Sequence, residues 1–390
     1  MTAASLRCRV CERTHPLAPL SACPVCSEPL DVDYDSPLQD ALEPLAVKRY
    51  RRLLPQVPEE PEPEATPLAP APRLSAALGV DLLLKLENAN PNRSFKDRIA
   101  ATAVAAARDF GFETVCCAST GNLAEAVAAR CAAAGLEAVV LCPGEHLPLG
   151  LHPSFGARVF GVDGTYDDCR MLERQLEAFF PWGFVGGNLH ALAAEGAKPI
   201  AYEVFEQLGG QLPDAVVAPV GSGTLFAKLA QGFDEVVAHA AGEQLRPRLY
   251  GAQAGGCPPL AAAWADDRPP SRVRPATGVA SLAVGDPAYG DLAVGAARMS
   301  GGAILAVPED EIAARAEFLA ELTGVFADPS AGVALGGLLE LVRSGEIRQG
   351  ERVVLVVAGG GYRTPGREVE SQAAEIDSDV DSLLAALGVS

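Results

Sequence analysis

The chain has 390 residues, 49% of them apolar and 21% charged, with a formal net charge of −19. That length allows two or three domains around a large core, and that charge argues against a nucleic-acid-binding face, which needs positive patches. No apolar stretch runs for about 18 residues without Gly, Pro or polar interruption, so no membrane span is expected. The opening MTAASLRCRVCERTHP lacks the charged-then-apolar layout of a secretory signal, which makes the cytoplasm the expected compartment.

Four of the ten cysteines fall in the first 26 residues, as Cys8-x2-Cys11 and Cys23-x2-Cys26. In a cytosolic chain such pairs point to metal rather than to disulfides. Two knuckles this close together can wrap one tetrahedral Zn²⁺ and hold a short segment folded. Four thiolates leave no open position, so this zinc reads as structural; the alternative is a vestigial ribbon without metal. Cys116, Cys117, Cys131, Cys142, Cys169 and Cys257 stand in apolar surroundings and read as buried small hydrophobes. From Ser36 to Pro70 the chain is rich in Pro and Glu, with QVPEEPEPEATPLAP its most biased stretch, and a surface linker or arm is expected over 36–75.

Beyond the arm, short β-like runs alternate with Ala-rich helical ones. DLLLKLE, ETVCCAS, EAVVLCPG, ARVFGVDG, DAVVAPVG, RLYGAQAG and RVVLVVAGGG are the strand candidates; Lys96–Phe110, Gly121–Gly135, Tyr166–Phe180, Gly196–Leu208 and Glu309–Thr323 are the helices between them. Continuous Val/Leu-rich strands alternating with helices predict parallel sheet covered on both faces. In such sheets ligands bind where loops follow the carboxyl ends of strands. Three of those loops here are rich in Gly, Ser and Thr: ASTGN, PVGSGT and AGGGYR.

Each loop has a bland reading and a chemical one. In PVGSGT a strand runs into Gly221-Ser222-Gly223-Thr224 and then a helix; this is either a structural turn or a phosphate site, with glycines for close approach and helix N–H groups for the anion. No GxxxxGK[ST] or complete GxGxxG is present, which turns the reading away from nucleoside triphosphates and NAD. Ser119-Thr120-Gly121-Asn122 either caps a helix or grips an anion such as a carboxylate. Lysine occurs only at positions 48, 85, 96, 198 and 228. Lys96 begins a helix with no i,i+4 carboxylate, where helix dipole and burial lower an amine's proton affinity; it is a surface lysine or a Schiff-base amine.

Together and in this order, KLENANPNRSFKDR, ASTGN and PVGSGT resemble the fold-type-II pyridoxal-5′-phosphate (PLP) enzymes, in the branch of threonine synthase and cysteate synthase. The resemblance covers essentially the whole chain. It implies an α/β fold of two domains, tryptophan synthase β-like, behind an amino-terminal zinc ribbon. The ribbon is expected over 1–35, the large PLP-binding domain over 76–110 and 200–390, and a small mobile domain over 111–199. SFKDR implies that Lys96, beside Phe95, carries the cofactor and acts as general base. Asn122 is implied to bond the cofactor's phenolic oxygen, Gly221, Ser222, Gly223 and Thr224 its phosphate, and Ser119, Thr120, Gly121 and Asn122 the substrate carboxylate. The Cys8, Cys11, Cys23, Cys26 ribbon resembles that of some members. A small amino-acid substrate and a homodimer are implied by resemblance alone.

Three positions depart from the threonine synthase pattern. Where that group has a hydroxyl facing the pyridine nitrogen, this chain has Ala358, leaving water, Thr364 or nothing. The arginine that precedes an EGQK-like segment is Ala193, ahead of Glu195-Gly196-Ala197-Lys198. The substrate-phosphate lysine of a GKLAQ-like segment has no counterpart in GEHLPLGLHPSFGAR. Lys198, His190 or Arg158 are the candidates to compensate; the five histidines otherwise show no metal spacing. GGGYR and VGSGT lean toward cysteate synthase. The expected function is therefore PLP-dependent replacement or elimination at Cβ or Cγ of an activated serine- or homoserine-type amino acid. The alternatives are cysteate-synthase-like β-replacement on O-phosphoserine, a divergent specialised-metabolism relative, and a PLP-binding protein without catalysis.

Overall fold

The computed structural model describes residues 3–34, 65–144, 152–239 and 245–363. At the amino terminus, β1 (Ala3–Cys8) pairs antiparallel with β2 (Thr14–Pro16) on one side and β3 (Leu30–Tyr34) on the other. This ribbon is too short to bury a core of its own. It turns Leu6, Leu30 and Val32 into the same apolar cluster as the helices of the main body.

Residues 36–64 of the expected Pro/Glu-rich arm lie outside the described residues, but its end is part of the fold. Leu68–Pro70 forms β4 and Pro72–Leu78 forms helix α1, with Leu74 buried. The arm reading fails there because apolar residues return after Thr66, and both prolines suit their places. Pro70 sits on an edge strand, and Pro72 opens a helix where no N–H is needed.

The larger sheet has the order β12 (Ala303–Val307), β11 (Arg248–Ala254), β10 (Ala215–Pro219), β13 (Arg352–Val357), β5 (Asp81–Leu86), β4. All of its pairs are parallel except β4 with β5. The smaller sheet, also parallel, runs β8 (Arg158–Val162), β7 (Glu137–Pro143), β6 (Thr114–Ala118), β9 (Gly183–Phe184). Every residue of β6 and β10 is buried, as strands covered on both faces require.

Helix α2 (Lys96–Asp109) packs on α3 (Asn122–Ala134), and α4 (Tyr166–Leu176) lies against the smaller sheet. The helix expected over Gly196–Leu208 is α6 (Pro199–Gln207), which begins at the proline, and a short helix not expected from the sequence, α5 (His190–Glu195), precedes it. Pro199 cannot continue a helix already begun, but it can start one. Then come α7 (Thr224–His239), α8 (Pro259–Ala265), α9 (Gly290–Met299) and α10 (Ile312–Thr323). Helix α11 (Pro329–Ser344), buried along most of its length, packs on β10, β11 and β13. No helix among the described residues is long and apolar enough to cross a membrane.

Two buried ionic clusters lock these layers together. In the first, Arg98 meets Glu87 at 2.7 Å and Glu203 at 2.5 Å, while Lys85 reaches Glu203 at 2.6 Å, joining α2, β5 and α6. In the second, Glu195 receives Lys198 at 2.6 Å and Lys228 at 2.5 Å, and the Tyr34 hydroxyl donates to it at 2.5 Å. That cluster fastens the ribbon to α5 and α7.

Candidate active site

The carboxyl ends of β6, β10 and β13 open on one cavity, where sheets of this kind place their ligands. It holds about 790 Å³ of empty space, part of it open to solvent. Phe95, Lys96, Ser119, Thr120, Asn122, Gly221, Ser222, Gly223 and Ala358 all line it; Gly121 and Thr224 do not.

Lys96 is the first residue of α2. The Phe95 amide donates to the Ala358 carbonyl at 3.1 Å and Ser94 bridges to Gly359, stitching this helix start to the end of β13. The Lys96 Nζ stands 4.8 Å from the centre of the Phe95 ring. Burial, and secondarily the Arg170 guanidinium, push the Lys96 ammonium down to about 8. The lysines thus sort by partner. Lys85, Lys198 and Lys228 each meet a buried carboxylate. Lys96 meets none at ion-pair distance among the described residues, and Lys48 lies outside them.

The Ser119 hydroxyl accepts from the Gly121 and Ala124 amides, both at 3.0 Å, so helix capping is one part of its work. Gly121 turns the chain at φ +153°, a conformation that strains a side chain. Thr120 donates to the Ala280 carbonyl at 3.3 Å. Asn122 begins α3, with its side chain hydrogen-bonded to the Asp328 carboxylate.

The loop after β10 is cupped by Tyr289. The Tyr289 amide donates to the Ser222 carbonyl at 2.9 Å. A Cβ on Gly223, which sits at φ +84°, would come 2.7 Å from the Tyr289 carbonyl oxygen, so only glycine fits. The Ser222 and Thr224 hydroxyls are 3.0 Å apart at the start of α7. Arg9 of the ribbon lies over the Tyr289 ring at 4.3 Å and bonds Asp31 at 2.8 and 2.9 Å. The ribbon therefore braces the residue that shapes the loop.

Sequence reasoning missed Tyr166, Ser281, Asp328 and Ser330, the other polar side chains of the lining. Asp328 caps α11, accepting from the Ser330 amide at 3.0 Å, and burial pushes its carboxyl up. An Asp-Pro-Ser ahead of an apolar run is a helix-start signature that could have revealed it. These two side chains share the cavity with Ala358, whereas Thr364 lies outside the described residues. Of the candidate replacements for lost substrate cations, Lys198 is held by Glu195 and Glu235, and Arg158 is exposed near the Phe160 ring. His190 lines a second cavity and is kept neutral by burial and by nearby cations.

In the ribbon, the Cys8, Cys11, Cys23 and Cys26 thiols lie within 4.8 Å of one another, with Cys8–Cys26 at 3.4 Å and Cys11–Cys23 at 3.7 Å. Tetrahedral zinc with sulfur at about 2.3 Å sets sulfurs roughly 3.8 Å apart, so the donor set fits such an ion. His15 Nε2 stands 3.3 Å from the Cys23 sulfur, where an outer hydrogen bond would steady a ligand. The other six cysteines are buried, and burial pushes their thiols up, to about 12 at Cys131; they are inert packing.

The cavity fits pyridoxal phosphate: an amine that loses its proton near neutrality, a glycine cradle at a helix start, and an amide side chain between them. Residues 60–359 match the family model described as pyridoxal-phosphate dependent enzyme. The threonine synthase of Bacillus sp. (strain ULM1) is 33% identical over 339 residues, covering 85% of this chain and 94% of that protein. That of Methanocaldococcus jannaschii is 31% identical, covering 96% of each. Among solved structures, a threonine deaminase from T.th. superposes with a TM-score of 0.61 at 23% identity, over 80% of this chain and 95% of that one. Maize serine racemase does so with a TM-score of 0.63 at 17% identity, over 84% and 94%. On sequence match and on fold alike, the chain belongs to the fold-type-II family of pyridoxal-phosphate-dependent enzymes.

Proposed function

We propose that the protein carries out replacement or elimination at Cβ or Cγ of an activated serine- or homoserine-type amino acid, in the manner of a threonine synthase. The observation that carries this is Lys96, the lysine in the cleft without a carboxylate, among the loops that would orient cofactor and substrate. Pyridoxal phosphate, when bound, supplies the electron sink that makes a proton at the substrate's Cα removable. Lys96 would hold it, and its amine, titrating near about 8, is matched to taking up that proton. Ser119, Thr120 and the start of α3 would receive the substrate carboxylate, and Asn122 the ring oxygen. Gly221 to Thr224, at the start of α7, would hold the cofactor phosphate. Asp328 and Ser330 are the polar side chains available on the wall where Ala358 offers none.

A cysteate-synthase-like β-replacement is the second reading. The VGSGT and GGGYR segments support it; Ala193, buried within α5, and Lys198, held by carboxylates, do not separate the two readings, since both take a phosphate ester. We also propose a structural zinc on Cys8, Cys11, Cys23 and Cys26, supported by the spacing of the four sulfurs.

The test is an absorbance spectrum of the protein reconstituted with pyridoxal phosphate. A band near about 410–420 nm that is absent from Lys96→Ala is expected. Titration with serine, homoserine and their O-acetyl and O-phospho esters should then shift the band for one activated ester class. A wild-type protein that takes up no cofactor would overturn the reading.

A further inference from the structure

The ends of β6 and β9 are joined by a side chain. These neighbouring strands pair Val115 with Gly183 and Cys116 with Phe184, and the Val185 amide continues the ladder to the Cys116 carbonyl at 2.9 Å. Just beyond, Ala118 leads into the Ser119–Asn122 loop and Gly186 into the turn before α5. Glu173, on α4, bridges the two chains there. Its carboxylate accepts from the Gly186 amide at 2.9 Å and also from the Ala118 amide. A Cβ on Gly186 would collide with that carboxylate, so the glycine gives it room. Only 1% of Glu173 is exposed, and it lines neither cavity.

A carboxylate in that place is poised to titrate. Burial, the largest influence, raises its proton affinity, and the Glu177 carboxylate adds to the rise; the Arg170 guanidinium and the two amides lower it. The balance leaves Glu173 at about 7. Arg170 belongs to the same helix and to the wall between the two cavities, since Tyr166 lines the Lys96 cavity and Arg170 the second one. Burial keeps the Tyr166 phenol and the Cys169 thiol neutral. It does the same for Cys116 and Cys117 of β6 and Cys142 of β7, the strands on which α4 packs. Residues Gly183–Gly187 bring no ionisable side chain. The charge that changes near neutrality is that of Glu173.

The two protonation states differ in what they can hold. An ionised carboxylate accepts both amides through charge-assisted bonds. A protonated one sets its own O–H donor against one N–H and holds the other more weakly. Ala118 stands one peptide from Ser119, whose hydroxyl holds the start of α3, and both residues line the Lys96 cavity. We propose that Glu173 is a positioning residue: as a carboxylate it clasps β6 to Gly186 and fixes the Ser119–Asn122 loop in the form that receives a substrate carboxylate, and its protonation releases that loop. This inference rests on the function proposed above and adds to it a residue that touches neither cofactor nor substrate. Affinity for an amino acid is then gained as Glu173 ionises and lost as pH falls through about 7.

The test follows amide hydrogen exchange at Ala118 and Gly186 in the protein loaded with pyridoxal phosphate, corrected for the intrinsic effect of pH on exchange. Both amides should be about fivefold less protected at about pH 6 than at about pH 8, a fraction of what a hydrogen bond to a charged group supplies. Glu173→Gln, which cannot ionise, should show no such change. The second readout is the absorbance shift on titration with serine, homoserine and their O-acetyl and O-phospho esters. For the amino acid that shifts the band, wild type should bind about fivefold more tightly than Glu173→Gln at about pH 8, and equally at about pH 6. Comparing the two proteins at one pH cancels the titration of Lys96 and of the substrate amine. A side chain that only packs would give the same ratio at both values. Protection in wild type that ignores pH, or a ratio between wild type and variant that does not change with pH, overturns the proposal. Either result with the cofactor band intact leaves the proposed function standing. A wild type without that band overturns the function instead, and exchange at the two amides still decides whether the clasp opens.

Discussion

Two kinds of inward-facing cation can be compared in this molecule, fully buried ones and half-buried ones, and their surroundings separate structure from chemistry. Lys85, Arg98, Lys198 and Lys228 each sit at 3.1 Å or closer to a carboxylate, inside clusters that join helix to sheet and ribbon to body. Lys96 and Arg170 have no such partner among the described residues and face cavities instead. The first kind is compensated where it stands and holds the fold. The second is left open, which lowers the amine's proton affinity and leaves the guanidinium its donors. The lesson is general: in an α/β protein rich in buried charge, the residue with perturbed chemistry is found by asking which charge lacks its partner.

That contrast predicts opposite outcomes for two substitutions of similar size. Glu195→Gln leaves Lys198 and Lys228 as buried ammonium groups without their shared carboxylate, and should cost about 3–5 kcal/mol of stability. Lys96→Met removes an uncompensated amine and should leave the stability of the cofactor-free protein unchanged or raised, while abolishing cofactor attachment. Urea denaturation of both variants with cofactor spectra alongside checks this. Equal stability losses in the two would break the distinction between the kinds of cation.

A smaller effect is expected from the ribbon, where the four thiols stand at the spacing of the proposed zinc site. On the proposed zinc site, Cys11→Ser should lower metal content and the thermal midpoint together, because a segment this short has little core of its own. Since Arg9 and Asp31 brace Tyr289, and Tyr289 shapes the Ser222–Gly223 turn, the same variant should also weaken pyridoxal phosphate binding several-fold. Metal analysis, thermal melts and cofactor titration read the three effects separately. Unchanged cofactor affinity in a metal-free ribbon would show that the brace is not needed.

Much of this site was legible in the chain because its parts are local. The strands buried on both faces read as unbroken apolar runs, and the glycine loops after β6 and β10 announce themselves within a few residues. Lys96 could be singled out as a candidate by its place at a helix start. Its lack of a partner could not be read, because Lys85 finds Glu203 across 118 residues and nothing local distinguishes the two lysines. Helix α11 escaped for a different reason. SAGVALGGLLEL is buried nearly all round, so it lacks the polar face by which a helix is recognised. Tyr166 was invisible as a site residue because the run YDDCRMLERQ reads as a solvated helix face. Only the packing of α4 against the cleft turns that stripe inward.

The mildest prediction concerns the link between the two open cations. Attachment of pyridoxal phosphate needs the Lys96 amine without its proton, so the rate at which the bound-cofactor band appears should rise with pH and level off above about 8. Burial is the larger cause of that depressed value and the Arg170 charge the smaller. Removing a neighbouring positive charge lets an amine keep its proton to higher pH, so Arg170→Leu should move the midpoint upward, by less than about one unit. Arg170→Lys keeps the charge and should leave the midpoint near the wild-type value. The sign is fixed by electrostatics alone. A midpoint that falls in Arg170→Leu would mean that the substitution opens the site to water more than it removes charge, and the wall between the two cavities would then be a matter of packing.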